Sequence, residues 1–383
     1  MNSKEKINSF SMSTIIISLC TSSFYGLFSS YIINKTKNAS LISIFIGFII
    51  SLIISFIIFK FIEYKEELTY TNKIKYTFPK LYIIFNITTI LTSLFGYILL
   101  TYRLTSFLSN QYLILTPNIY ISLLIISLNY YTASKGIQTV IRVSFITFFM
   151  SLIIFIFDFT SLISEIKINN FLPLIDVNMK DIITSSLIFS SYFSIPIIYL
   201  NTISFSQIND KYNFKKYYYL MIILSFIIIF VSVFTSIGVN GSNVLSLFDY
   251  PIYSTLKRIK LFNVLDSLEN ISISAWFLFI INTSNIMLTY IFDAIKETFN
   301  IKKRTNIINL LVMIIIFIIP NFIFSNNNFN EFYDYIYIPI IFLVITLFII
   351  ILTLIKKGLK KSLEWIYIYF NFIISIIISF CLN

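Results

Sequence analysis

Two groups of residues, each containing small polar side chains and a glycine or a proline, interrupt otherwise apolar stretches of the chain. The first group comprises Thr21, Ser22, Ser23 and Gly26, and the second comprises Ser190, Ser191, Ser194 and Pro196. Proline lacks an amide hydrogen and disrupts the preceding helical turn, and glycine permits a close approach of the backbone. Such residues free backbone groups for a ligand, so we predict a substrate-binding site between two broken helices. Close packing of helices through small residues is the alternative interpretation.

Charged residues near the ends of apolar stretches can supply electrostatic recognition. A buried arginine at the position of Arg103 needs an acidic partner or a substrate carboxylate. We predict that Arg103 and Glu269 line a vestibule on the outer side, with simple snorkelling to the membrane interface as the alternative. For Arg142, Asp158 and Asp293 we expect snorkelling.

Four consecutive polar residues, 282–285, cover every face of one helical turn. The hydroxyls of Thr283 and Ser284 can help to coordinate a small cation together with freed carbonyls of the first stretch, and ordinary interhelical hydrogen bonds are the alternative. The chain contains no histidine, so the commonest general base and metal ligand is missing. We therefore expect no enzyme, no bound metal and no cofactor, and we leave coupling to Na⁺ or H⁺ open.

The elements that must position these residues are eleven apolar stretches. Hydrophobic residues make up 57% of the 383 residues and charged residues only 12%, too few for a water-facing surface. Each stretch has the length needed to cross a hydrocarbon core of roughly 30 Å as a helix. They are Ser9–Ile33, Asn38–Ile62, Leu81–Arg103, Leu113–Tyr131, Ile137–Phe159, Ile183–Phe205, Tyr217–Val239, Ile271–Ile295, Ile307–Phe324, Tyr335–Ile355 and Leu363–Leu382.

The net charge of +11 reflects membrane topology rather than binding of nucleic acid, and we expect no nucleic-acid partner. With the amino terminus inside, 20 of the 28 lysines and arginines fall on the inner side and 8 on the outer side. This asymmetry predicts a cytoplasmic amino terminus and a multi-pass protein in the lipid bilayer.

Two long connections indicate an internal repeat. Residues 63–80 and 240–270 occupy equivalent places if the first ten stretches form two halves of five. An odd number of spans per half reverses the orientation of the second half. We therefore predict an all-α integral membrane fold, a polytopic bundle in one domain over residues 1–383, with inverted five-helix repeats at about 9–159 and 183–356. The stretch at about 363–382 is an extra carboxy-terminal span.

Short sequence elements in a fixed order resemble the endospore germination permeases, the B subunits of nutrient germinant receptors, in the amino acid–polyamine–organocation superfamily. The elements are Arg103 with Phe107 and Thr116-Pro117, Lys135-Gly136-Ile137-Gln138 with Arg142, Asn170-Phe171-Leu172-Pro173, and Pro251 with Leu268-Glu269 and Trp276.

The resemblance implies a LeuT-like fold with the first and sixth spans unwound and a small nutrient, such as an amino acid, bound between them. It also implies receptor A and C subunits as partners and a location in the spore inner membrane or the cell membrane. The chain departs from the family at Ser267, where arginine is common, at Thr283, where lysine often stands, and in its eleventh span. An amino-acid secondary transporter and a ligand-free structural subunit are the alternative functions.

Overall fold

A computed structural model describes residues 6–259, 269–301, 305–319, 321 and 337–356. Within these residues the chain forms fourteen α-helices and no β-strand. The helices are α1 (Ser9–Ser23), α2 (Ser29–Thr36), α3 (Ser40–Glu63), α4 (Tyr70–Thr77), α5 (Tyr82–Gln111), α6 (Asn118–Ser134), α7 (Ile137–Leu162), α8 (Met179–Ser194), α9 (Lys211–Asn240), α10 (Ser242–Leu245), α11 (Pro251–Leu256), α12 (Glu269–Phe299), α13 (Thr305–Ile318) and α14 (Tyr337–Lys356).

Local sequence signals define several helix ends. The side chain of Asn8 accepts a hydrogen bond of 2.8 Å from the amide of Phe10 and so caps the start of α1. Asp210 caps α9 in the same way. At the other end of α9 the chain reverses at Gly241, whose φ of 75° lies in the left-handed region that favours glycine.

Six helical segments among the described residues are long and apolar enough to cross a membrane. They are Ser29–Glu63, Tyr82–Gln111, Ile137–Glu165, Met179–Thr202, Lys211–Asn240 and Glu269–Phe299. These segments confirm the prediction of an all-helical integral membrane protein. Shorter apolar helices cover Ser9–Ser23, Asn306–Ile318 and Val344–Lys356. The predicted extra span at 363–382 lies outside the described residues, and the count of eleven spans stays a prediction.

The centre of the bundle is α1. It packs against α7, α9 and α12, while α3 packs along α8, and α5 and α6 pack against α12. Apolar side chains on the outside of these helices are exposed, as Phe45, Ile49 and Phe56 of α3 show. An apolar exterior around a packed interior is the arrangement that lipid solvates.

Contacts between chain segments define two faces of the bundle. On the amino-terminal face, Ile7 forms an isolated parallel bridge with Ile208, and the end of α12 contacts the start of α4. On the opposite face, Asn170 donates a 2.7 Å hydrogen bond to the carbonyl of Gly238 at the end of α9. Helices α1, α5, α7 and α9 start on the amino-terminal face, and α6, α8 and α12 start on the opposite face.

Candidate functional site between two broken helices

The two predicted helix interruptions are present in the backbone. Helix α1 ends at Ser23 and continues as a π-helical turn, Phe24–Phe28, which contains Gly26, before α2 begins at Ser29. Helix α8 ends at Ser194 and continues as a 3-10 segment, Ile195–Thr202, with Pro196 near its start. Both changes of helix type fall in the middle of the bundle, and a change from α geometry alters which backbone groups are bonded.

A cavity of about 70 Å³ lies beside both interruptions, and we call it the break cavity. Three of the predicted residues line it: Ser23, Ser191 and Pro196. The remaining lining residues come mainly from α4, α5, α8, the 3-10 segment and α12. They include Tyr70, Thr89, Thr92, Ser93, Gly96, Tyr192, Tyr199, Met287, Tyr290 and Thr346.

The other predicted site residues lie close by without lining the cavity. The hydroxyl of Thr21 donates 2.6 Å to the carbonyl of Ile17 in its own helix. Ser190 likewise donates to a carbonyl of α8. Within the described part of the chain, the buried hydroxyls of Ser22 and Ser194 have no hydrogen-bond partner. A buried hydroxyl without a partner costs free energy, so these two are candidates for contact with a ligand or an ordered water.

None of the described residues that line the break cavity is charged. Tyrosines dominate its end towards the amino-terminal face. Tyr290 donates a 3.2 Å hydrogen bond to Thr89, and its ring packs against those of Tyr70 and Tyr199 at centroid distances of 5.8 and 5.3 Å. The sequence does not single out these tyrosines, because Tyr70 lies in the connection 63–80 and Tyr199 and Tyr290 lie in two different apolar stretches. Only the packing of α4, the 3-10 segment and α12 brings them together.

A buried lysine lies behind this tyrosine group. Lys73 of α4 is 1% exposed, and its Nζ donates to the carbonyls of Phe61 and Ile62 at 2.8 and 2.9 Å and to Oδ1 of Asn201 at 3.2 Å. Burial lowers the pKa of Lys73 to about 7. In the sequence, Lys73 is only one of the lysines whose distribution predicts the membrane topology. In the structure, its side chain links the end of α3 to the 3-10 segment Ile195–Thr202.

The polar turn of α12 joins this helix to α1. Thr283 donates 2.8 Å to the carbonyl of Ser18, and Asn282 donates 2.6 Å to Thr147 of α7. The hydroxyl of Ser284 is buried and has no partner among the described residues. Thr283 therefore makes the interhelical hydrogen bond that was the alternative to cation coordination.

Arg103 and Glu269 both lie on the opposite face, near a cluster of aromatic side chains. Burial raises the pKa of Tyr250 to about 12, and the nearby Arg103 opposes this shift. Burial also raises the pKa of Tyr112, with a smaller contribution from Glu269. Phe107 and Trp276 pack edge to face in this cluster, with ring centroids 4.8 Å apart.

Comparison with known proteins decides the family. A family model of spore permeases, described as spore germination proteins, matches residues 6–330. The chain belongs to the spore germination protein family. The match confirms the resemblance read from the short sequence elements, and it contains every candidate site residue from Thr21 to Ser284. A search of curated proteins found no match.

Proposed function

We propose that this spore germination protein is the membrane subunit of a nutrient germinant receptor and that it binds a small nutrient in the break cavity. The observation that carries the proposal is the cavity itself, because Ser23 from the first interruption and Ser191 and Pro196 from the second line the same cavity. Concave sites between helices, with a few polar groups in mostly apolar walls, are the usual form of small-molecule sites.

The chemistry of the walls suits a small amino acid without a charged side chain. The lining offers hydroxyls and aromatic rings and, among the described residues, no charged side chain. Helices α1 and α8 both end beside the cavity, at Ser23 and Ser194, so their carbonyl ends carry partial negative charge towards a ligand's amino group.

The proposed architecture is LeuT-like, with two inverted five-helix repeats as in the amino acid–polyamine–organocation superfamily. In support, the broken helices run in opposite directions, since α1 starts on the amino-terminal face and α8 starts on the opposite face. Residue 9 would begin one repeat and residue 183 the other, with the extra span at 363–382 outside both.

The proposed setting is the spore inner membrane, with a cytoplasmic amino terminus and with receptor A and C subunits as partners. A bound nutrient would favour one arrangement of the two broken helices because it contacts both of them. A ligand can shift a conformational equilibrium only through different affinities for the two states. The partner subunits would respond to that shift. The coupling of this step to Na⁺ or H⁺ stays open, and we propose no resident cofactor.

Binding of amino acids to the purified chain tests this proposal. We expect at least one small amino acid with an uncharged side chain to raise the thermal unfolding temperature of the wild type. The variant Ser191→Leu, whose larger side chain fills the cavity, should show no such increase. Ser127→Leu is the matched control, because Ser127 is exposed on α6. An equal increase in Ser191→Leu and wild type would place the ligand elsewhere.

Uptake by proteoliposomes separates the receptor from an amino-acid secondary transporter. A sensing subunit binds the amino acid without accumulating it, whereas a transporter accumulates it against an imposed ion gradient. Radiolabelled amino acid inside vesicles, compared with vesicles that contain Ser191→Leu, provides the measurement. A chain that neither binds nor transports any amino acid would be a structural subunit.

A further inference from the structure

A second cavity, of about 60 Å³, lies towards the opposite face, and we call it the acid cavity. Helices α7, α9, α11 and α12 form its walls, and Tyr25 of the π-helical turn closes one side. It shares no lining residue with the break cavity. Among the residues that line it, Asp158 of α7 is the only charged one.

Asp158 does not lie in the environment expected from the sequence. Near the end of an apolar stretch it was expected to reach the membrane interface, but in the structure its carboxylate accepts a hydrogen bond from Ser272 of α12 and lines the acid cavity. Of the lysines and arginines in the described ranges, none forms an ion pair with it. Asp158 is only partly exposed, and a carboxylate that is partly shielded from water is stabilised when a cation or a proton compensates its charge.

Aromatic rings line the same cavity as this carboxylate. Tyr25, Phe107, Tyr253 and Trp276 all line the cavity. The hydroxyl of Tyr25 is hydrogen-bonded to Ser232 at 2.8 Å, which holds its ring in place. The faces of aromatic rings attract cations, and they do so most strongly where water is excluded.

Ser151 adds to the same cavity a hydroxyl that has no hydrogen-bond partner among the described residues. This residue is 1% exposed. It lies on α7 two turns before Asp158, on the side of the helix that lines the cavity. A hydroxyl oxygen at this position can accept a hydrogen bond from an N–H group.

From a carboxylate without an ion-pair partner among the described residues, a hydroxyl without a hydrogen-bond partner among them and aromatic walls, we propose that the acid cavity binds an organic ammonium ion, with Asp158 as its counter-charge. A metal cation fits these walls less well, because Na⁺ or Ca²⁺ needs a shell of several oxygen ligands and the lining is mainly apolar. The protonated amine would donate hydrogen bonds to the carboxylate of Asp158 and to the hydroxyl oxygen of Ser151. Its alkyl part would pack on the aromatic rings of the cavity.

The two cavities lie on either side of the first helix interruption. Tyr25 lines the acid cavity, and Ser23, two residues earlier, lines the break cavity. Trp276 lines the acid cavity and donates a 3.2 Å hydrogen bond from Nε1 to the carbonyl of Ser22. An ammonium ion in the acid cavity would therefore contact the residues that hold the π-helical turn in place.

The test uses three probes of similar size and different charge on the purified full chain. At constant ionic strength in sodium chloride, we expect n-butylammonium to raise the unfolding temperature with saturation, and 1-butanol and butyrate to leave it unchanged. We expect Asp158→Asn to weaken binding of n-butylammonium by at least about tenfold. Asp176→Asn, which removes an exposed acid between α7 and α8, should bind as wild type does.

Two outcomes would overturn the proposal. One is equal stabilisation by n-butylammonium and 1-butanol, which would indicate apolar partitioning. The other is equal binding by Asp158→Asn and wild type. If Asp158→Asn does not fold, Ser151→Leu provides the second variant, because its added side chain fills the ammonium position and should abolish the response. Saturable stabilisation by sodium alone that depends on Asp158 would assign the cavity to a metal ion instead.

Discussion

At the scale of single residues, the described part of this membrane protein buries one lysine among polar partners. Lys73 is outside the membrane-spanning helices, yet it is withdrawn from water and donates to two carbonyls and to Asn201. The cost of burying its charge lowers the pKa to about 7, against 10.5 for an unperturbed lysine. Its protonation state therefore changes near neutral pH.

The stability of the chain should rise between about pH 7 and pH 10 because of Lys73. Between these pH values Lys73 is protonated in the unfolded chain and neutral in the folded chain. The free energy of unfolding therefore increases with pH, by up to about 1.4 kcal/mol per pH unit. Thermal unfolding of the purified chain across pH 6–10 should show this rise, and Lys73→Met should lack it. Lys80→Met, at an exposed position, is the control and should keep the wild-type slope.

At the scale of elements, short α4 ties together the helices around the break cavity. Thr69, just before α4, and Thr71 donate to Glu297 at the end of α12. Lys73 reaches the 3-10 segment, and the carbonyl of Thr77 accepts 2.9 Å from Lys356 of α14. The helix thus contacts the segments on both sides of the cavity, so movement of the 3-10 segment would be transmitted through α4.

A second element-scale feature is the close packing of α3 on α8. A Cβ atom added at Gly47 would lie 2.7 Å from the carbonyl oxygen of Ser186, and backbone cannot move aside as a side chain can. We expect Gly47→Ala to destabilise the protein by about 1–3 kcal/mol. Ile46→Ala, at the neighbouring exposed position, should change stability much less. Thermal unfolding in detergent measures both, and equal stability of Gly47→Ala and wild type would contradict this packing argument.

At the scale of the whole molecule, the two faces of the bundle differ in charge. Of the described lysines and arginines, most lie towards the amino-terminal face, and the aromatic cluster and the acid cavity lie towards the opposite face. Positive charge is retained on the cytoplasmic side of membranes. The orientation follows as a prediction: the acid cavity faces outward and α4 faces the cytoplasm.

Cysteine labelling tests this orientation. In a background of Cys20→Ser and Cys381→Ser, Asn178→Cys places an exposed thiol on the opposite face and Asn209→Cys places one on the amino-terminal face. We expect a membrane-impermeant maleimide to label only Asn178→Cys in intact cells, and both variants after the membrane is permeabilised. Labelling of Asn209→Cys alone in intact cells would reverse the assignment.

The sequence by itself determined the membrane-embedded helical class, the family and the two helix interruptions. These depend on local properties: apolar length, proline and glycine chemistry, and short ordered elements, each of which can be read without knowing the neighbours of a residue. The interruptions at Ser23 and Pro196 illustrate this, since each was predicted from its own stretch and both are present.

Only the tertiary structure decided which side chains meet. Tyr70, Tyr199 and Tyr290 form one wall of the break cavity from three separate elements, and Asp158 meets Ser272 across more than a hundred residues of chain. In helices that are apolar on nearly every face, periodicity does not reveal which side faces a neighbour and which faces lipid. The polar groups that line the two cavities therefore became recognisable only once the helices were packed together.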